Sequence, residues 1–298
     1  MRYRPMGPSG AIVSVISLNL TPDASRPRPS DWVAFVYAAL ESGVCTFEVA
    51  ANDPVVIDGL SQALTAIDRR LVSVAWKIGR NGAGARDLSP VGLKMQIQAA
   101  VARTGLEYLD AIVIDDPDPK EIWAETARAF DEAKASGAVR HIGMAGEGDG
   151  IDELITRGGF DFLVTEFNIT SGWRERNRLR AAAARDIAVI GRQPYPRTFH
   201  ASVTAAKAGK NGRGREPLAD CGTYAFLDAT HGWSAEEICV AYALTEPALA
   251  SVQVESVTID QVERLSAVTE REMPPGVAAQ IEMARFGPGA GPETIRRA

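Results

Sequence analysis

Two rhythms of apolar and polar positions alternate along this chain. Short β-branched runs are separated by longer stretches in which apolar residues recur at helical spacing. After a polar start, Val13–Leu20 (VSVISLNL) predicts a first strand. Ser30 stands as an N-cap before DWVAFVYAAL, a helix that Gly43 closes. Val44–Val49 and Pro54–Ile67 form the next strand and helix, followed by Leu71–Ile78 and by Ser89–Thr104 with Pro90 in its first turn. Leu109–Ile114 is a continuous apolar run of the kind that a parallel strand covered on both faces needs. Pro119–Ser136 places Ile122, Trp123, Ala127 and Phe130 on one helical stripe. Further pairs are Val139–Met144 with Ile151–Arg157, and Phe160–Glu166 with Arg174–Arg185. Ile187–Gly191 precedes an irregular stretch running to Trp233 and then a helix over Ser234–Thr245, and Ser251–Val254 precedes a helix over Thr258–Glu270.

Eight strand–helix pairs without a linker predict one α/β domain over residues 1–286, a (β/α)8 TIM barrel, with a Gly/Pro-rich tail over 287–298. A doubly wound open sheet fits less well, because no Gly-x-Gly-x-x-Gly turn follows the first strand. Barrels of this kind keep their chemistry at the C-terminal ends of the strands. Those positions are Asn19, Glu48, Lys77, Asp115 with Asp116, Ala145, Glu166, Arg192 and Glu255. A lysine ending an apolar strand, as Lys77 does in SVAWKIG, needs a counter-ion because desolvating its charge is costly. Glu48 and Asp115 end the flanking strands and supply one each. Two readings stay open: an acid/base or Schiff-base lysine, or a partly buried ion cluster closing the top of the barrel. Two adjacent carboxylates favour the ammonium form, which disfavours a nucleophilic amine.

Composition narrows the function classes. The chain has 298 residues, 46% apolar and 23% charged, an ordinary balance for a globular protein. Its net charge of −6 argues against nucleic acid as a partner. Cys45, Cys221 and Cys239 are too few for a disulfide framework and suit a cytoplasmic setting. No apolar run approaches the roughly 18 residues of a membrane span, and the charged, proline-containing MRYRPMGPSG does not suit a signal peptide. No His or Cys pair has ligand spacing, so no metal site is expected.

Several segments, in order, resemble the aldo-keto reductase family. RYRPMGPSGAIVSVISL is similar to that family's N-terminal β-hairpin and first strand, and TGLEYLDAIVIDDPDP resembles its "LGLDYLDLLLIHxPDP" signature. GAVRHIGMAG resembles "GKVRxIGVSN", FLVTEFNI resembles "LQxEYNL", and SVQVESVTIDQVERL resembles "SVIPGxSSPEQVEEN". The resemblance implies a barrel that uses NADPH to reduce aldehydes and ketones through an Asp–Tyr–Lys–His tetrad. It assigns the lysine to Lys77 and the aspartate to Glu48. The tyrosine's place in FEVAANDP holds Asn52 and Asp53, and no tyrosine lies between Tyr37 and Tyr108. The histidine's place is Asp115, and a carboxylate there neither donates the proton nor stabilises an alkoxide.

The implied cofactor contacts change as well. Ala145 and Gly146 replace the Ser-Asn that holds the nicotinamide amide, and Val164 replaces a glutamine of the sixth strand. Arg192 stands in place of the stacking aromatic residue, and Glu255 in place of a glycine near the phosphates. A carboxylate about 4 Å from a phosphate oxygen costs about 1 kcal/mol in water and about 4 at an effective dielectric near 20. From Arg192 to Arg215 the chain carries six basic residues (Arg192, Arg197, Lys207, Lys210, Arg213 and Arg215) and no acidic one. That stretch reads either as an anion or nucleotide site or as a solvated loop. His200 and His231 lie in or beside it, His141 on the fifth strand reads as structural, and none replaces the family's histidine.

The expectation is an aldo-keto-reductase-like barrel that binds a small molecule at its strand ends without the standard reduction, with Lys77, Glu48, Asp115 and Asp53 as the acid/base set. Glu166 is a further candidate for that chemistry. The alternative is an active NAD(P)H oxidoreductase with a substituted proton donor, its cofactor held around Arg192, Arg197, Ala145, Gly146 and Glu255. A purely structural module would instead need a large exposed apolar patch.

Overall fold

The computed structural model describes residues 1–50, 53–79, 86–122, 124–196, 199, 218 and 221–285. Eight parallel strands are β3 (Ile16–Leu20), β4 (Thr46–Val49), β5 (Ser73–Ile78), β6 (Leu109–Asp115), β7 (Val139–Ala145), β8 (Phe162–Glu166), β9 (Ala188–Arg192) and β10 (Leu249–Glu255). They close into a barrel in the order β10-β3-β4-β5-β6-β7-β8-β9. Helices α1 (Pro29–Glu41), α2 (Pro54–Leu64), α3 (Pro90–Thr104), α4 (Ala124–Ala135), α5 (Asp149–Arg157), α6 (Trp173–Ala183), α7 (Ala235–Leu244) and α8 (Ile259–Val268) follow the strands. The (β/α)8 barrel expected from the pattern is therefore the observed fold. No described helix is long and apolar enough to cross a membrane.

The predicted first strand divides in two. Ile12–Ser14 (β2) pairs antiparallel with Tyr3–Pro5 (β1), and only Ile16–Leu20 enters the barrel. Ser14 makes the break: its hydroxyl donates to the Ile16 carbonyl at 2.7 Å, and its N–H donates to Thr46 Oγ1 at 3.3 Å. The hairpin closes the N-terminal end of the barrel, placing Met6 and Val13 among interior residues such as Ala111, Phe162 and Ile190. Arg4 fastens it by donating to the Leu249 carbonyl at 2.5 Å and the Leu244 carbonyl at 2.9 Å.

Other boundaries shift for local reasons. Helix α1 starts at Pro29, with Arg28 rather than Ser30 as the cap residue, because Asp31 accepts the Arg28 N–H at 3.1 Å. The helix expected over Pro119–Ser136 opens with a separate 3-10 turn, Pro119–Glu121. There Asp118 accepts the Lys120 N–H at 2.8 Å and Glu121 accepts the Asp118 N–H at 3.0 Å, closing that turn on itself. Trp123, assigned to the same stripe, lies outside the described residues, as does the tail after Phe286. A final helix, α9 (Val277–Ala284), and a 3-10 segment, Gly222–Ala229, were not expected.

Two apolar layers follow from the period of two along the strands. Outward residues such as Ile112, Ile114 and Leu163 pack against the helices, and inward residues such as Ala111, Val113 and Val164 fill the barrel. Phe162 occupies the interior because Gly143 faces it: a Cβ on Gly143 would lie 2.3 Å from the ring. Burying such a side chain contributes about 1.5–3 kcal/mol.

Candidate active site

The inward series continues past the apolar layers to the strand ends, so alternation alone carries polar side chains into the mouth of the barrel. Asp115 follows the inward Ala111 and Val113, Lys77 follows Ala75, and Arg192 follows Ala188 and Ile190. Register sets neighbours side by side: Glu255 with Asn19, Asn19 with Glu48, Asp115 with Ala145, and Glu166 with Arg192. The strand-end residues singled out from the sequence thus form one ring.

Lys77 Nζ lies 3.3 Å from Glu48 Oε1 and 3.5 Å from Asp115 Oδ1. Glu48 is buried, and its other oxygen accepts from Gln253 Nε2 at 3.2 Å. The same Asp115 oxygen lies 3.8 Å from Arg192 Nη1. Arg192 in turn holds Glu147 with two prongs, Nη2 at 2.9 and 2.8 Å from its two oxygens and Nε at 3.1 Å from Oε1. Burial by itself lowers the pKa of this guanidinium, but the Glu147 hydrogen bonds and the charges of Glu147, Asp115 and Glu48 outweigh it and hold the group above its ordinary value. Glu147 Oε1 also accepts the Glu166 N–H at 3.1 Å. Beneath, the buried Asn168 ties Glu166 Oε1 to the Gln193 carbonyl, donating to each at 3.2 Å.

Other assigned residues take different places. Asp53 is the N-cap of α2, accepting the Val56 N–H at 3.0 Å, and forms no ion pair with Lys77. Ala145 and Gly146 contribute backbone: the Ala145 carbonyl accepts the Asp116 N–H at 2.6 Å and the Gly146 N–H donates to Val164 at 3.0 Å. Gly146, at φ +156°, has no room for a side chain, since a Cβ would lie 2.9 Å from Ile151 Cγ1. Glu255 accepts from Asn19 Nδ2 at 2.9 Å. Arg197, His200, Lys207, Lys210, Arg213 and Arg215 lie outside the described residues, as does Asn52. Among the described residues no group of three or more His, Cys, Asp or Glu is arranged to hold a metal ion.

A cleft of about 100 Å³ opens over this cluster, with Lys77, Arg192, Gln253, Asn19, Glu255 and Tyr195 among its walls. Gln253 and Glu147 had been overlooked, although Gln253 lies on the polar beat of SVQVE that Ser251 and Glu255 share. Tyr195 lies in the irregular stretch before Trp233, where no periodicity marks it. Its ring stacks on Phe199 with centroids 4.9 Å apart. Burial, then the charge of Glu236 on α7, push its hydroxyl well above the usual phenol range.

The sequence model of the aldo/keto reductase family matches residues 20–285. This chain belongs to the aldo/keto reductase family. Two solved structures of the aldo-keto reductase AKR11C1 from Bacillus halodurans are similar to this family member. The holo form has a TM-score of 0.74 at 19% identity, and the apo form 0.72 at 18%. Each alignment covers 95% of this chain and 96% of the other. No curated protein sequence matches this family member.

Proposed function

We propose that this aldo/keto reductase family member binds a small polar molecule at the strand ends and does not carry out the family's NADPH-dependent carbonyl reduction. One observation carries this reading: Lys77 is held between Glu48 and Asp115, the latter on the position that resembles the family's histidine. A carboxylate beside the lysine offers neither a proton nor an oxyanion contact to a carbonyl. It can act as a hydrogen-bond acceptor or base, and the Lys77 ammonium as a donor, so the cluster suits ligand binding and acid/base chemistry without redox.

A nicotinamide dinucleotide, which the family generally binds, does not fit the described residues. Arg192, paired with Glu147, offers no aromatic face where the resemblance puts the ring that stacks on nicotinamide, and Glu255 brings a carboxylate to the end of β10, where the resemblance puts the cofactor phosphates. The free thiols of Cys45 and Cys239 suit a reducing, cytoplasmic setting.

Titrating NADPH into the purified chain, followed by cofactor fluorescence and thermal shift, tests the reading. The expected result is no saturable binding at millimolar cofactor. Saturable binding with hydride transfer to any aldehyde overturns it. A second reading, an active oxidoreductase with a substituted proton donor, draws on Tyr195 sharing a cleft with Lys77. It requires that Tyr195→Phe abolish reduction, and the burial that holds the Tyr195 hydroxyl well above the usual phenol range weighs against it.

A further inference from the structure

The cleft above Lys77 has an unbalanced set of polar groups. Lys77 Nζ makes no hydrogen bond among the described residues, only the two ion pairs at 3.3 and 3.5 Å. Arg192 Nη1 likewise makes none, its nearest anion being Asp115 Oδ1 at 3.8 Å. Two cationic donors therefore converge beside one carboxylate oxygen on β6. Acceptors stand on other strands: Asn19 Oδ1 is buried with no hydrogen bond, and Glu255 is exposed. In the closed order of strands β10 and β3 adjoin, so Glu255 and Asn19 stand side by side. Donors and acceptors thus line one cleft.

Charge decides what can bridge them. Lys77 and Arg192 set two positive charges against four negative ones on Glu48, Asp115, Glu147 and Glu255, a formal sum of −2. A dianion such as phosphate would meet net repulsion. A simple cation would leave the Lys77 and Arg192 donors unanswered, and buried polar groups are normally satisfied. A zwitterion adds no net charge and answers both sides. We infer that the cleft binds a small neutral α-amino acid, its carboxylate on Lys77 and Arg192 and its ammonium on Glu255 and Asn19 Oδ1. Pro194 and the Tyr195 ring form the apolar wall for a short side chain, and a volume of about 100 Å³ excludes a long one. This assignment rests on the proposed function, since it fills the barrel mouth with a ligand other than the dinucleotide.

Calorimetry and thermal shift on the purified full chain test it with L-alanine, propionate (its carboxylate half) and ethylamine (its amine half). L-alanine should bind at least about tenfold more tightly than either half, tenfold being about 1.4 kcal/mol. Glu255→Gln, at an exposed position, should weaken L-alanine about tenfold or more without weakening propionate, whereas Arg192→Gln should weaken both. The inference is overturned if the halves bind as tightly as L-alanine, if Glu255→Gln leaves its affinity unchanged, or if glycine, L-alanine and L-serine all fail to bind. Absence of both amino-acid and NADPH binding overturns this inference alone. NADPH binding with hydride transfer, alongside L-alanine binding that follows the variants as stated, overturns the proposed function alone.

Discussion

Arg192 and Glu147 form a two-pronged ion pair, Nη2 lying 2.9 and 2.8 Å from the two carboxylate oxygens. The pair bridges the end of β9 to the turn after β7, and the second bond to the Glu166 N–H extends it to β8. Replacing Glu147 by Gln removes the charge but keeps one acceptor. Urea unfolding should show a loss of about 1–3 kcal/mol, the range for a charge-assisted, partly buried contact. No change would mean that Arg192 finds an equivalent partner in Asp115.

Glu48 and Lys77 should behave as a unit. Removing one partner of a buried pair leaves an uncompensated charge and typically costs about 3–5 kcal/mol. Glu48→Ala and Lys77→Met are each expected in that range. The double variant should cost less than their sum, with a coupling of about 1–3 kcal/mol read from denaturation of all four proteins. Strict additivity would show the two side chains to be independent.

The alkaline limit of stability should involve Tyr242. Its hydroxyl accepts from Arg176 and Arg285 and donates to Glu282, joining α6, α7 and the C-terminal α9. Burial first, then the bond to Glu282, raise its titration from 10.0 to about 12. Between those values the unfolded chain loses this proton and the folded chain keeps it, so stability falls as pH rises through that window. Tyr242→Phe should lose about 1–3 kcal/mol at neutral pH and show a shallower decline from pH 10 to 12 in unfolding curves.

Ser256 follows Glu255 with a left-handed backbone, φ +54°. That conformation costs a residue bearing a Cβ roughly 1 kcal/mol. Ser256→Gly should therefore be more stable than Ser256→Ala by a few tenths to about 1 kcal/mol, because glycine's extra freedom in the unfolded chain offsets part of the relief. Equal melting temperatures for the two variants would place no strain there.

Legibility in the sequence followed the reach of the two-residue period. Lys77, Glu48 and Asp115 could be grouped from sequence because each ends an inward series, and the barrel then determines which side chains meet. Glu147 lies two residues past the end of β7, beyond any ladder, so nothing in the pattern pointed at Arg192. Asp53 was assigned to acid/base chemistry, yet Asp-Pro at the start of an apolar helix is a capping signature, and capping is the contact it makes. Helix α9 went unnoticed because it spans only Val277–Ala284 after a Pro-Pro-Gly turn, and its anchoring comes from Tyr242 and Arg176, distant in sequence.

Side chains such as Val113, Phe162 and Val164 fill the barrel, and the hairpin that Arg4 pins to the Leu244 and Leu249 carbonyls caps its far end, so the mouth is a blind well rather than one end of a tube. With Met6 and Val13 plugging the far end, whatever reaches Lys77 arrives and departs through one opening. Arrival and departure therefore compete for the same doorway. An occupant must vacate before its successor can enter, and crowding at the rim slows both directions alike.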